Sequence, residues 1–178
     1  GEPLTALANG NVIYAESDTR GGNQVQVLFS PDFDLSSQDN IFVSFHSIYE
    51  QNQDSLGAVE YSIDQGATWL PVLYMIDGDD IIRDTEGNID AVATMNEVRT
   101  DQAHGREYGA FIGAPITQDL APFISGRVND DQVESKRVEL LRMEQADSQA
   151  NVRLRFTQTG TASWYFGIDD VGLYSIDQ

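Results

Sequence analysis

The 178-residue chain contains no cysteine, and its only lysine is Lys136. Without cysteine there can be no disulfide framework, thiolate metal site or cysteine nucleophile. A stable fold must therefore come from an apolar core. A domain of this length buries about 70% of the surface its unfolded chain exposes, so one domain spanning residues 1–178 is expected. Positive charge is also scarce: 10 Lys and Arg stand against 29 Asp and Glu, a net charge of −19. The nine arginines are scattered rather than clustered. A surface so negative repels phosphate backbones and anionic lipid headgroups, which excludes nucleic acid as an expected partner. No apolar run approaches the roughly 18 residues of a membrane-spanning helix, so no membrane insertion is expected. The opening Gly1-Glu2-Pro3 lacks the basic and apolar regions of a signal peptide, which suggests a mature protein or a domain of a larger polypeptide.

Recognisable catalytic signatures are missing as well. The chain has no H-E-x-x-H, no G-x-S-x-G, no phosphate-cradling glycine loop and no E-x-D-x-x-E. Scattered carboxylates about 5–9 Å apart would satisfy a glycosidase. With 29 available, such a pair is expected by chance, so no catalytic residue is singled out and the chain is not expected to be an enzyme.

The acids present are 19 Asp and 10 Glu. Aspartate prefers turns and loops, where its short carboxylate competes for backbone N–H groups. The acidity is thus expected on loops, hydrated or holding hard cations. A lysine-poor acidic surface also suits saline water, where repulsion is screened within about 8 Å.

Period-2 alternation predicts strands at Gln24–Phe29, Ile41–Tyr49, Gly57–Ile63, Leu70–Met75 and Asn151–Thr157, with a last strand or pair in Trp164–Ile176. Val59, Tyr61 and Ile63 share one face, and Val152, Leu154 and Phe156 point inward with Arg153 and Arg155 outward. Lys136–Met143 fits either a strand or an amphipathic helix, and the Val138/Leu140 alternation favours the strand. Asp77–Asn129 interrupts this pattern as a long, partly irregular insertion, with one or two helical turns expected between Pro115 and Pro122. An excursion of this length in a compact domain is usually functional or disordered. Many short strands and little helix imply an all-β antiparallel sandwich.

The final strands, Asn151-Val-Arg-Leu-Arg-Phe-Thr157 and Ser163-Trp-Tyr-Phe-Gly-Ile-Asp-Asp-Val171, resemble those that close MAM-like jelly-roll domains, including the cleaved-adhesin and choice-of-anchor groups of secreted bacterial proteins. Phe29–Leu35, Ile41–Phe45, Val59–Trp69 and the acidic turn Tyr14–Asp18 are similar to further motifs of that group, in the expected order. The resemblance covers about residues 12–75 and 136–176 and leaves the insertion unmatched. It implies a jelly roll, an extracellular or cell-surface location and one module of a larger protein. It also implies calcium at the acidic end of the last strand.

Asp169 and Asp170 are adjacent on a strand, so their carboxylates should face opposite sides. One would then face the interior or a sheet edge, where a Ca²⁺ ion completed by Glu16 and Asp18 would offset the cost of an unpaired charge. The alternative is a turn cap or a pair with Arg153. Asp77, Asp79 and Asp80 form one further acidic cluster and Asp84–Asp90 another, the latter spacing oxygens as calcium loops do; Asp77, Asp79, Asp84 and Asp90 are the second candidate metal set, although a solvated turn is the favoured reading. Ser62-Ile-Asp-Gln-Gly-Ala-Thr-Trp69 fits an Asp-box. Asp64 would accept backbone N–H groups, Gly66 supply a positive φ, Thr68 tie the return strand and Trp69 pack beneath. A propeller would need several such boxes, so the expected role is a structural turn. His46 is expected to be an ordinary sheet residue. His104, Arg106 and Tyr108, with Phe111 and Phe123, form the candidate ligand-binding set of the insertion. The expected function is a non-catalytic module that binds carbohydrate or a surface protein, with calcium stabilising loops. The alternatives are a structural spacer and a polysaccharide-degrading enzyme.

Overall fold

The alternating segments become strands because each buries one side and leaves the other exposed. The computed structural model describes residues 12–15, 23–50, 56–99, 112–127, 137–161 and 165–176. Its strands are β1 (Ile13–Ala15), β2 (Asn23–Phe29), β3 (Ile41–Glu50), β4 (Leu56–Ser62), β5 (Leu70–Asp77), β6 (Ile124–Arg127), β7 (Arg137–Arg142), β8 (Arg153–Thr161) and β9 (Tyr165–Ser175). One sheet runs β1-β9-β3-β7 and the other β2-β8-β4-β5-β6. Among the described residues every strand pair is antiparallel except β5–β6, and the fold is a sandwich-like all-β architecture.

The inward side chains of both sheets make one apolar core. Ile41, Val43 and Phe45 from β3 meet Val59 and Tyr61 from β4 and Leu154 and Phe156 from β8. Phe45 and Phe156 pack edge-to-face with ring centroids 5.5 Å apart, a geometry that suits the aromatic quadrupole.

β4 is buried along its whole length, which a two-layer sandwich alone does not explain. The excursion covers its outer side. The helix α1 (Ala91–Arg99) is capped by Asp90, whose Oδ1 accepts from Ala93 N at 2.9 Å. It buries Ala91, Met95 and Val98, which join Leu56 and Ala58 of β4 and Tyr74 and Ile76 of β5 in a second core. Gln118 ties the two halves of the excursion: Oε1 accepts from Ala91 N at 3.1 Å, and Nε2 donates to Ile89 O at 2.6 Å. A 3-10 helix, Gln118–Phe123, then leads into β6, which pairs with β5 in parallel from Tyr74↔Ile124 to Asp77↔Arg127. Parallel pairing requires a crossover connection, and the excursion supplies it.

One sequence expectation needs correction: the 3-10 helix runs through Pro122 instead of stopping before it. β7 is a strand, as the Val138/Leu140 alternation favours, and Val138 and Leu140 are on its outward face, 65% and 54% exposed. Its register against β3, Phe45↔Glu139 and Val43↔Leu141, turns Glu139 and Leu141 inward. The inward Glu139 is matched by Arg127 of β6, whose Nη2 lies 2.7 Å from its Oε1.

Candidate functional site

A cleft of about 510 Å³ lies where the excursion meets the sandwich. Tyr61 comes to it from the end of β4, Pro71 from the start of β5, and Pro115, Asp119 and Phe123 from the excursion. Arg142, Glu144 and Gln145, at the end of β7 and just beyond, close the remaining side. Its volume lies within the range of small-molecule sites, roughly 300–1,000 Å³.

The polar wall is held in place by its own partners. Arg142 donates from Nη1 to Asp147 Oδ1 at 2.9 Å and to Ile41 O at 3.0 Å, while Nη2 bonds the other Asp147 oxygen. Asp147 Oδ1 also accepts from Ile41 N at 3.0 Å. The Arg142 guanidinium holds the Asp147 carboxyl below the usual carboxylate range and is itself held charged by that carboxylate. Tyr61 Oη accepts from Gln145 N at 3.2 Å, and burial pushes its phenol up. Tyr61 thus stays a neutral donor facing the cleft.

The opposite wall, Ala114-Pro115, is fixed by a buried carboxylate. Glu60 lies on the outer face of β4 and is fully buried. Its Oε1 accepts from Tyr74 Oη at 2.7 Å, Gly113 N at 2.8 Å and Ala114 N at 3.2 Å. Its Oε2 accepts from Arg155 Nε at 2.7 Å. Burial, and then the neighbouring Glu60 charge, push the Tyr74 phenol far above its ordinary range. The Arg155 guanidinium stacks over Trp69, 4.2 Å from the ring centroid. Gly113 allows this closure: a Cβ there would stand 2.5 Å from Trp69 Cβ and 2.6 Å from Arg155 Nη2. Composition and motif reading missed this set. The available signal was a glutamate between apolar Val59 and Tyr61 in a strand, with an arginine paired opposite on β8.

The Asp-box residues form a closed turn beside this wall. Asp64 Oδ1 accepts from Ser62 Oγ at 2.7 Å and Thr68 N at 2.9 Å, and Oδ2 accepts from Thr68 Oγ1 at 2.6 Å. These bonds, that of the Thr68 side chain foremost, lower the Asp64 carboxyl to about 2. Gly66 takes a φ of 90°, which favours glycine. Trp69 packs against Phe29, with centroids 5.9 Å apart, and under Arg155.

The acidic candidates are placed differently from the sequence expectation. Neither Asp169 nor Asp170 is buried. Strand β9 bulges opposite β3 between Ser44 and His46, and Asp170 takes a left-handed φ of 51°, so strict alternation fails there. Asp169 Oδ1 accepts from Asp170 N at 2.9 Å. Asp170 Oδ2 lies 3.1 Å from His46 Nδ1, within ion-pair distance but outside hydrogen-bond geometry. Arg153 pairs with Asp32, at 2.7 and 2.9 Å, and not with either aspartate. Asp169 and Asp170 offer the hard oxygens that Ca²⁺ favours, but alone they fall short of the six to eight it takes.

In the second acidic stretch, Asp77 caps the turn that follows by accepting from Asp79 N at 2.9 Å. Asp84 accepts from Glu86 N and Asn88 N, both at 2.9 Å, and Asp90 caps α1. Among the described residues, no group of three or more His, Asp or Glu side chains is close enough to hold a metal ion. Glu16, Asp18, His104, Arg106, Tyr108 and Phe111 lie outside the described residues. Of the candidate ligand-binding set, Phe123 reaches the cleft.

No helix among the described residues is long and apolar enough to cross a membrane. No protein-family model matches the chain, and no curated protein matches it in a sequence search.

Proposed function

We propose that the chain is a non-catalytic extracellular module of the MAM-like, jelly-roll kind, and that it holds a carbohydrate in the cleft between the excursion and the sandwich. The observation that carries this reading is the make-up of the cleft. Tyr61, Phe123, Pro71 and Pro115 offer apolar surface beside Arg142, Glu144, Asp119 and Gln145. A pyranose has the same two-sided character: apolar C–H faces suit ring and proline surfaces, and its hydroxyl rim both donates and accepts hydrogen bonds. Apolar walls with a few placed polar groups are the usual design of a small-molecule site. The net charge of −19 favours neutral over anionic polysaccharides. Loop stabilisation by calcium at Asp169 and Asp170 belongs to the same reading but takes no part in sugar contact.

The test is a glycan array of neutral polysaccharides, run in calcium and again in chelator, on the native chain and on Phe123→Ala. Selective binding lost in Phe123→Ala supports the reading. Absence of binding in both conditions overturns it and leaves a spacer or protein-contact role.

A further inference from the structure

We infer that the edge strand β2 is a self-association edge, at which a second copy of this chain adds its own β2 antiparallel and joins two five-stranded sheets into one. Among the described residues the edges of the two sheets are β1, β7, β2 and β6. An open edge offers unpaired N–H and C=O groups, so stable proteins blunt it with short strands, charges, proline or a bulge. β1 spans three residues and β6 four. β7 carries Arg137, Glu139 and Arg142. β2 has none of these devices: it runs for seven residues, in unbroken register with β8, without a charged residue or proline.

The ladder fixes which groups face the opening. Ser30 N donates to Leu154 O at 3.0 Å, one step beyond the Phe29↔Arg155 pair. Hydrogen-bonded pairs alternate along an antiparallel ladder. Leu28 and Gln26 therefore turn their backbone groups to β8, and Val25, Val27 and Phe29 turn theirs to the open edge. All three of these residues are exposed. The strand is self-complementary about Val27. A second β2 centred there sets Val27 against its own counterpart and Val25 against Phe29, an aromatic–β-branched pairing that sheets favour. These pairs exchange about six N–H···O bonds, within the usual range for a protein interface of roughly ten, give or take five. Charge selects the same occupant. Two copies at −19 repel over most of their surface, but residues 21–31 hold no charged side chain, so here they meet without opposing carboxylates. A basic partner would find no acid on this strand to pair with. The two-fold contact uses up both edges and closes at the dimer. β2 lends no residue to the cleft, so the inference stands apart from the function proposed there.

The test is sedimentation equilibrium of the full chain over a range of concentrations, in about 0.15 M and about 1 M salt, where the screening length falls from about 8 to about 3 Å. The mass should rise from one copy to two and no further, and at lower protein concentration in the higher salt. Amide exchange at Val25, Val27 and Phe29 should slow as the dimer fills. Val27→Lys sets two like charges face to face at the two-fold centre and should weaken association at least about tenfold. It also brings the net charge closer to zero, so overall repulsion does not explain such a loss. Val138→Lys makes the same change on the exposed face of the β7 edge and should leave association as it is. Val27→Pro removes an N–H that the ladder with β8 does not use, a place where an edge strand tolerates proline, and should also leave a monomer. Should the proline variant fail to fold, Val27→Lys decides. A monomer at every concentration, which leaves the edge to a foreign strand, overturns the inference. So does a dimer that survives Val27→Lys, one lost equally in Val138→Lys, or assembly beyond two copies.

Discussion

Arg155 and Glu60 form an ion pair under the excursion, with Arg155 Nε 2.7 Å from Glu60 Oε2 and the carboxylate fully buried. The second carboxylate oxygen accepts three more donors, from Tyr74, Gly113 and Ala114. These bonds link β4, β5, β8 and the excursion at one point. Breaking a buried pair by removing one partner typically costs about 3–5 kcal/mol, because the other charge is left uncompensated. Arg155→Leu should therefore lower stability by that order, read as a lower urea midpoint. Glu60→Leu with Arg155→Leu together should recover part of the loss. A double variant as unstable as the sum of the two singles would show that the pair is not coupled.

The pH dependence of the Asp-box turn follows from the depressed Asp64 carboxyl, at about 2 against an ordinary 3.8. A group whose folded value is depressed contributes stability fully above its unfolded value and loses it as pH falls through the folded one. The stability gap between the native chain and Asp64→Asn should thus hold constant above roughly pH 5 and close as the pH approaches about 2. Urea midpoints across that range check this. A gap that stays constant to the acid limit would show that the Thr68 and Ser62 bonds do not depend on the charge.

The strands were legible because their apolar period matches a half-buried sheet: Ile41, Val43 and Phe45 in β3, and Val152, Leu154 and Phe156 approaching and within β8, all reach the core. The facing of β7 was not legible. Val138 and Leu140 look like the core side, but the register against β3 turns Glu139 inward, where Arg127 of β6 pairs with it. Helix α1 is nine residues long, and its buried stripe of Ala91, Met95 and Val98 is too short to stand out from the loop around it. β6 spans four residues and has no alternation to read. The cleft was illegible for another reason. Tyr61, Phe123 and Arg142 lie far apart in sequence and meet only when the excursion folds back along β5. Of these, Phe123 is legible in the sequence as an aromatic of the excursion.

Gly113 is a point where one methyl group should be felt. A Cβ would lie 2.5 Å from Trp69 Cβ and 2.6 Å from Arg155 Nη2, and the tryptophan is held between Arg155 and Phe29. Inserting even small groups into a filled site costs typically about 1–3 kcal/mol. Gly113→Ala should lower the melting temperature accordingly and alter the Trp69 emission. Gly87→Ala, where nothing lies within 4 Å of the added Cβ but φ is 88°, should leave Trp69 emission unchanged. Matching spectra for the two variants would mean that the excursion is not seated on Trp69.

Phe123 separates ligand contact from fold support at the cleft. It is half-buried, packs against the second core and borders the cleft, so Phe123→Ala removes both core packing and ring surface. Phe123→Leu keeps most of the packing volume and loses only the flat aromatic face. If the ring stacks on a sugar, Phe123→Leu should weaken carbohydrate binding by about tenfold, the equivalent of roughly 1.4 kcal/mol, and move the melting temperature little. Tyr61→Phe tests the polar side in the same way, since Tyr61 Oη already accepts from Gln145 N and keeps its own proton for a ligand oxygen. Isothermal titration with the best glycan from the array, alongside thermal melts, reads both variants. Native affinity in Phe123→Leu and Tyr61→Phe together would place the sugar outside this cleft.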